Sequence, residues 1–545
     1  MKEKLSRIIR KPETELDWLR LVLTLCFVFI ITLLAWQSDD SYHGYVMAKH
    51  LVEGDGFVYN IGQRASATTG PLYTLIVALA YFFTREMFFT SIAVNVLFST
   101  AAFIILINHV CKTTQQVLFA FLALVGSSAF VSYTTSGLEN CLLFFLCAWF
   151  LKVYYDHEKF TGLQMLKLAL IFAALAMARM DAVLLLIPMI VYVYLMKRRD
   201  VTFLEACGLT IIGLSPFFIW EIFSLFYFGF PVPNTAYVKL GTDISTVDYI
   251  KKGIWYVYYT GLNDLMVLIL PVAMIVMAVI TRIWKNIYTA LGVLLYGMYV
   301  LYIGGDFMMG RHFTVMMLIS VFAIIHMMND MAGHNFNLAG MYRKTFNVLV
   351  IVSLVYALTF VPNIGVKYLV NGQYAPAAAI SDERAYYSPT TGLFQNVRSL
   401  IKDGRMCIED TWNYQSVDEI REQGWLGNIT ENSAGILVYY NSDIYLNDTY
   451  CLGDPFLSKL PAVKQETWRI GHLRRAVPEG YRETVMYGEN VIEDEDLAKY
   501  YDIICEMTEG PLFSLDRIRT VINWNRGKYD YLLDHYVSTL EDSSK

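Results

Sequence analysis

Over the first two thirds of the chain, apolar residues come in long blocks rather than in alternation. The blocks lie at about 12–36, 71–84, 87–110, 116–132, 138–155, 163–178, 182–196, 203–228, 264–281, 286–303, 312–328 and 345–362. A helix needs about 20 residues to cross the hydrocarbon of a bilayer, so most blocks predict a spanning helix. The stretch 72–83 is the shortest, held between Pro71 and the charged Arg85 and Glu86. Beyond about 363 the pattern changes to frequent charges, turns and short alternating pieces such as 435–440, with helical periodicity near 491–505 and 526–541.

Basic residues between the blocks set the expected orientation. If 72–83 spans, Lys197, Arg198 and Arg199 fall outside, against the positive-inside tendency. If it lies flat at the outer interface, the N-terminal cluster (Lys2, Lys4, Arg7, Arg10, Lys11), Lys112, Lys152, Lys159, Lys197–Arg199, Arg282, Lys285, Arg343 and Lys344 all face the cytoplasm. The second arrangement predicts eleven spanning helices plus one interfacial helix in the first outer loop. No small-residue cleavage site follows the first block, so it reads as a retained helix rather than a signal peptide. The fold class expected is a polytopic α-helical membrane domain, 1–362, followed by an extracytoplasmic α/β domain, 363–545. About 180 residues is an ordinary domain size.

Composition agrees. The 545 residues are 56% hydrophobic and 17% charged, where soluble domains carry roughly a quarter charged residues. A disordered chain, a collagen, a disulfide-knit toxin and an ordinary cytosolic enzyme are excluded. A net charge of −6 gives no footing for a general nucleic-acid binder. Of eight cysteines, Cys26, Cys111, Cys141, Cys147 and Cys207 sit in or beside apolar blocks, and Cys407, Cys451 and Cys505 follow in the polar third. None has C-x-x-C spacing, so neither a disulfide framework nor a zinc site is expected.

The chosen orientation gathers the ionisable residues of the apolar region on one leaflet. Asp39, Asp40, Glu139, Arg179, Asp181, Glu221, Lys239, Asp306, Arg311 and His312 all fall at outer helix ends. Charge at that depth is costly and tends to face a cavity or a partner. Asp39 and Asp40 stand where the first helix leaves the membrane, ahead of a helix from about Tyr42 to Glu53 that stops at Gly54. Adjacent carboxylates repel, so one pKa rises or a cation binds between them. Either suits removal of a proton from a hydroxyl; an ordinary helix cap is the plainer alternative. Gly304, Gly305 and Asp306, then Arg311 and His312, combine permissive backbone with a guanidinium fork suited to phosphate and a donor or proton shuttle. Their alternative is a loop closed by an Asp–Arg pair. Pro231 and Pro233 stiffen a segment that ends in Asn234, Tyr237 and Lys239, which also reads as an interfacial loop with a snorkelling lysine. Arg179 and Asp181 can simply pair with each other, and Glu221, inside an apolar helix, can partner Arg179. His472 and the tryptophans at 412, 425, 468 and 524 read as core packing before sugar stacking. No P-loop, G-x-S-x-G, H-E-x-x-H or dinucleotide fingerprint appears in context.

Several of these segments, in order, resemble the GT-C glycosyltransferases, and more narrowly the terminal β-(1→2)-arabinofuranosyltransferases of mycobacteria. The resemblance rests on Asp39, Asp40 and Tyr42; on Gly54, Gly56, Val58, Asn60 and Gly62; on Thr69, Pro71 and Leu72; on Ser136–Glu139, Arg179/Asp181, Pro233–Lys239 and Gly304–Arg311; and on 452–461 and 468–475. Met180 stands where that family commonly has proline, and Ser41, His43 and Gly44 also depart. The resemblance implies an inverting transfer of a sugar, with arabinofuranose favoured, from a polyprenyl-phosphate donor to a cell-envelope glycan on the outer face of the inner membrane. It implies Asp39 as general base, Asp40 orienting it or holding a cation, and Arg311, Lys239 and His312 stabilising the leaving phosphate. Asn234, Tyr237, Asp306, Arg179, Asp181, Glu139 and Glu221 would complete the donor site. No cofactor is required, and a divalent cation stays open. A polyprenyl-phosphate-hexose transferase is the nearest alternative. A lipid-linked glycan flippase is the next, and would be expected to show internal repeats that this chain lacks.

Overall fold

A computed structural model describes residues 12–195, 199–239, 242, 244–333, 340, 344, 347–349, 351–353, 355–356, 379–411, 415–431, 434–463 and 468–543. The N-terminal basic cluster, Lys197, Arg198, Arg343, Trp412, most of the block at 345–362 and the expected domain boundary lie outside the described residues.

Helix α1 (Glu15–Leu33) starts at a capping box, in which the Thr14 hydroxyl accepts the Asp17 amide and Asp17 reaches back to Thr14. It buries Phe27 and Ile31 and turns Leu25 and Phe29 outward, 60% and 65% exposed. That polarity suits a lipid surround and not water. α2 (Asp39–Glu53) ends at Gly54, whose φ of 102° closes the last turn onto the His50 carbonyl. It starts three residues earlier than expected, so both aspartates lie in its first turn and Ser38 takes the cap position. α3 (Pro71–Thr84) has fourteen residues and spans about 21 Å at 1.5 Å per residue, too short for the hydrocarbon.

α4 (Phe88–Ile105), α5 (Thr114–Gly126), α6 (Asn140–Tyr155), α7 (Gly162–Ala178) and α8 (Phe203–Tyr227) follow. α9 (Asn234–Val238) is a single turn. α10 (Thr246–Asn263) and α11 (Met266–Thr281) meet at a 106° bend. At that bend the buried Asp264 accepts the Ser127 hydroxyl at 2.6 Å and the Ala129 amide at 2.9 Å. α10 was not foreseen, because Asp248, Lys251 and Lys252 interrupt its apolar pattern. α12 (Trp284–Tyr302) and α13 (Arg311–Gly333) complete the bundle. Among the described residues four helices are long and apolar enough to cross a membrane, or five with the bent pair as one span, and five shorter apolar helices accompany them. The expected eleven crossings are not reached by length and composition alone.

The C-terminal third opens with α14 (Glu383–Thr391) and α15 (Leu393–Asp403). Strand β1 (Gly427–Thr430) leads through α16 (Gly435–Tyr440) to β2 (Tyr445–Asp448), and the strands pair in parallel with Gly427 opposite Tyr445. The alternation at 435–440 is therefore helical. Parallel strands need a crossover, and this segment supplies it, with Asp448 accepting the Ala434 amide ahead of its first turn. α17 (Glu495–Thr508), α18 (Leu515–Asn525) and α19 (Asp530–Ser543) close the chain. The first and last match the periodicities at 491–505 and 526–541 within four residues. Ile380, Ile408 and Ile436 belong to the same apolar core as the bundle, and Val417, Leu437 and Leu446 pack with Val46, Met47 and Phe57. The C-terminal residues thus share core with the helices. All eight cysteines are free thiols.

Candidate functional site

A cavity of about 820 Å³ lies between the bundle and the C-terminal third. Its walls come from helix ends. α2 brings Asp40 and His43, and the turn before α6 brings Glu139. Arg179 and Asp181 follow α7, and Trp220 and Glu221 stand on α8. Asp306, Arg311 and His312 lie at the turn into α13. That turn demands glycine at 305, where φ is +78° and a Cβ would fall 2.4 Å from the Tyr256 ring. The close approach anticipated from the paired glycines is thus to the protein's own side chains.

Charge inside the cavity is arranged as a chain. Glu139 Oε1 accepts from Arg179 at 3.0 Å and from Arg311 at 2.9 Å. Arg179 also grips Asp181 with two bonds, of 2.8 and 3.2 Å. Asp306 lies 3.7 Å from Arg311 and 3.6 Å from His312, whose other nitrogen meets the Tyr296 hydroxyl at 2.8 Å. Arg179 is therefore engaged with Glu139 and Asp181. Glu221 lies on the wall without forming the expected pair with it. Lys239 stands apart: its amide donates to the Ala236 carbonyl at 3.2 Å, and its side chain lines the cavity with no carboxylate within ion-pair distance among the described residues. Withdrawal from bulk water and the Arg179 charge lower its ammonium pKa.

The aspartates separate. Asp39 is 1% exposed, is not on the cavity wall, and accepts the Ile436 amide of α16 at 2.7 Å. Asp40, one residue and about 100° further around α2, opens on the cavity. Burial, and next the Asp39 charge, push the Asp40 carboxyl up to about 7. The two carboxylates therefore face different surroundings, and Ser38 rather than either aspartate takes the cap position of α2. A carboxylate oxygen of each aspartate and a ring nitrogen of His43 lie within 4.8 Å of one another, a spacing that could hold a metal ion.

Asn234 and Tyr237 do not line the cavity either. Asn234 accepts from Lys459 at 3.2 Å, and the same ammonium sits 3.7 Å over the Tyr237 ring and 4.3 Å over Phe230. α9 turns these residues to a buried lysine and leaves Thr235, Ala236 and Lys239 to the cavity.

The C-terminal third adds Asp448 and Tyr450, which the sequence did not mark, and His472, which it read first as core packing. Asp448 lines the cavity, and burial raises its carboxyl to about 6. Tyr450 and His472 join it, with burial lowering the His472 pKa to about 3. Glu383, outside the wall, pairs with Arg469 at 2.6 Å, and burial raises its carboxyl to about 8. Nothing in the local sequence around Asp448 or Glu383 signals a site, because they reach it through contacts made across the chain.

No family model matches the sequence, and no curated protein matches it. Among solved structures, the chain is similar to the crystal structure of ArnT from Cupriavidus metallidurans bound to undecaprenyl phosphate, with a TM-score of 0.46 and 11% identity over 79% of this chain and 86% of that one.

Proposed function

We propose that this chain is a membrane glycosyltransferase of the GT-C type, moving a sugar from a polyprenyl-phosphate donor to a cell-envelope glycan. The supporting observation is one cavity with two unlike sets of lining residues. Met180 and Tyr302 line it and are 49% and 60% exposed, which offers an isoprenoid apolar surface. Asp40, Lys239 and Arg311 line it too. A lipid-linked anion fits that pairing of apolar and cationic walls.

In this reading the acceptor hydroxyl gives its proton to Asp40 as its oxygen attacks the anomeric carbon. The bond from that carbon to the phosphate oxygen breaks, with inversion. The electron pair leaves on the polyprenyl phosphate, whose charge meets Lys239 first and the Arg311 fork behind it. A carboxyl poised near 7 is matched to base work near neutral pH. Asp39 holds α16 against α2 and so positions its neighbour. Asn234 and Tyr237 leave the donor set. The reaction needs no cofactor, and a cation at Asp39, Asp40 and His43 is not part of it. The sugar favoured is a pentofuranose such as arabinofuranose, on the resemblance of the motifs. The site faces the outer side of the plasma membrane, with the N-terminus cytoplasmic and residues 363–545 outside.

The test is transfer by the purified chain in nanodiscs from a panel of polyprenyl-phosphate sugars that includes decaprenyl-phosphoryl arabinofuranose. Turnover with one donor, lost in Asp40→Asn, is expected. Undiminished turnover in that variant would remove Asp40 from the reaction.

A further inference from the structure

Helix α15 is built inside out. Asn396 is fully buried, donates to the Thr390 and Gly392 carbonyls at 2.8 and 2.9 Å, and accepts the Ile408 amide at 3.1 Å. The outward side carries Phe394, Leu400 and Ile401, exposed by 52%, 41% and 81%. At 100° per residue these three and Val397 form one stripe, and the exposed Arg398 and Lys402 run along one edge of it. A helix facing water has the opposite order. An apolar stripe edged by cations is the pattern of a helix lying in a lipid interface.

What covers the stripe follows from its neighbour. The Leu393 amide donates to the Ala35 carbonyl at 2.9 Å and the Thr391 hydroxyl to the Gln37 carbonyl at 2.7 Å. α15 therefore begins beside the C-terminal end of α1, the apolar helix that turns Leu25 and Phe29 outward. A second contact repeats the arrangement. Phe513 and Leu515, 80% and 78% exposed, precede or open α18. The Phe513 ring lies 5.6 Å from Phe226 near the end of α8, which exposes Ile219 and Ile222. Arg517 fixes that approach through the Tyr227 carbonyl at 2.9 Å. The Tyr227 hydroxyl accepts the amide of Phe57, so the end of α8 meets the loop after α2, the helix that follows α1.

We infer that the C-terminal third is seated on the bilayer by α15 and by the Phe513–Leu515 turn, with phospholipid acyl chains covering both. The inference requires only that α1 and α8 are in lipid and is independent of the sugar chemistry. Its consequence is that Asp448, Tyr450 and His472 are held over the cavity by the membrane as well as by the bundle.

Photo-crosslinking in nanodiscs of phosphatidylcholine and phosphatidylglycerol tests it. p-Benzoylphenylalanine is placed singly at Ile401 and Phe513, with Asp403 and Ser399 as controls on the other side of α15, and adducts are read by mass spectrometry. Monodisperse behaviour of each variant shows that it folds. Lipid adducts at 401 and 513 at least tenfold above the controls are expected. Equal yields at 401 and 403, no lipid adduct at 401, or an adduct from 401 to another protein chain would overturn the seating of α15. The result is independent of any transfer assay, so its failure and that of the proposed activity are told apart.

Discussion

Two groups of charge lie on either side of α9, and they are built to different ends. The open group joins Glu139, Arg179, Asp181, Asp306, Arg311 and His312, and its chain of pairs borders a cavity into which Lys239 reaches unpaired among the described residues. The closed group surrounds Lys459 with Asn234, Ser458, Phe230 and Tyr237. Both lysines are disfavoured as cations by burial, in Lys459 far more strongly. The difference teaches that two lysines near one helical turn can be set in unlike surroundings, one lining a cavity and the other held by side chains around it.

The strongest way to break this contrast is at the aspartates. Asp40→Asn is expected to lower transfer by about 10²–10⁴-fold, the ordinary worth of a general base, without changing the unfolding temperature. Asp39→Asn keeps an oxygen for the Ile436 amide and should lose less than about tenfold, on the same scale. A larger loss in Asp39→Asn than in Asp40→Asn, measured side by side, would return the base to Asp39.

Next come the lysines. Lys239→Met should cost about 10–10²-fold in kcat/KM for the lipid donor, the worth of one charge-assisted contact of about 1.5–3 kcal/mol, and leave thermal stability alone. Lys459→Met should do the reverse. It leaves Asn234 without its donor and costs about 1–3 kcal/mol of stability, with kcat per folded molecule unchanged. Thermal melts beside donor titrations would separate the two, and exchanged phenotypes would end the distinction between open and closed groups.

The pH profile sharpens the same comparison. As the proposed base, Asp40 would act only when ionised, and its carboxyl is raised to about 7. The rate constant kcat/KM should therefore fall about tenfold per pH unit below that point and flatten above it. Asp39→Asn removes a like charge, so the midpoint should move down; an upward or absent shift contradicts the coupling. The smallest effect on transfer belongs to Asn234→Ala, which should hold it within about threefold, since both side-chain hydrogen bonds of Asn234, from the Lys459 ammonium and to the Leu452 carbonyl, lie away from the cavity wall and their loss costs folding about 1–3 kcal/mol. A donor-specific loss of KM in that variant would put α9's buried face back in the site.

Local features were legible before any coordinates. The cap at Gly54, the short helix behind Pro71 and the helices α17 and α19 follow from residues within one or two turns of each other. So did the membership of Asp40, Glu139, Arg179, Asp181, Glu221, Lys239, Asp306, Arg311 and His312 in one cavity wall, because charge near lipid has few other places to go. The exceptions share a cause. Asp39 differs from Asp40 by one step around α2, Asn234 and Tyr237 differ from Lys239 by the face of a single turn, and the segment 435–440 is helical because two strands elsewhere pair in parallel.

The sequence by itself determined that this is a chain of apolar helices with its ionisable residues gathered at helix ends, since hydrophobic blocks and costly charges constrain one another along the chain. Only the tertiary structure decided which carboxylate meets the cavity, which lysine lines it, and that Asp448 and His472 join its wall. Those outcomes depend on side-chain direction and on contacts across hundreds of residues, and a linear pattern carries neither.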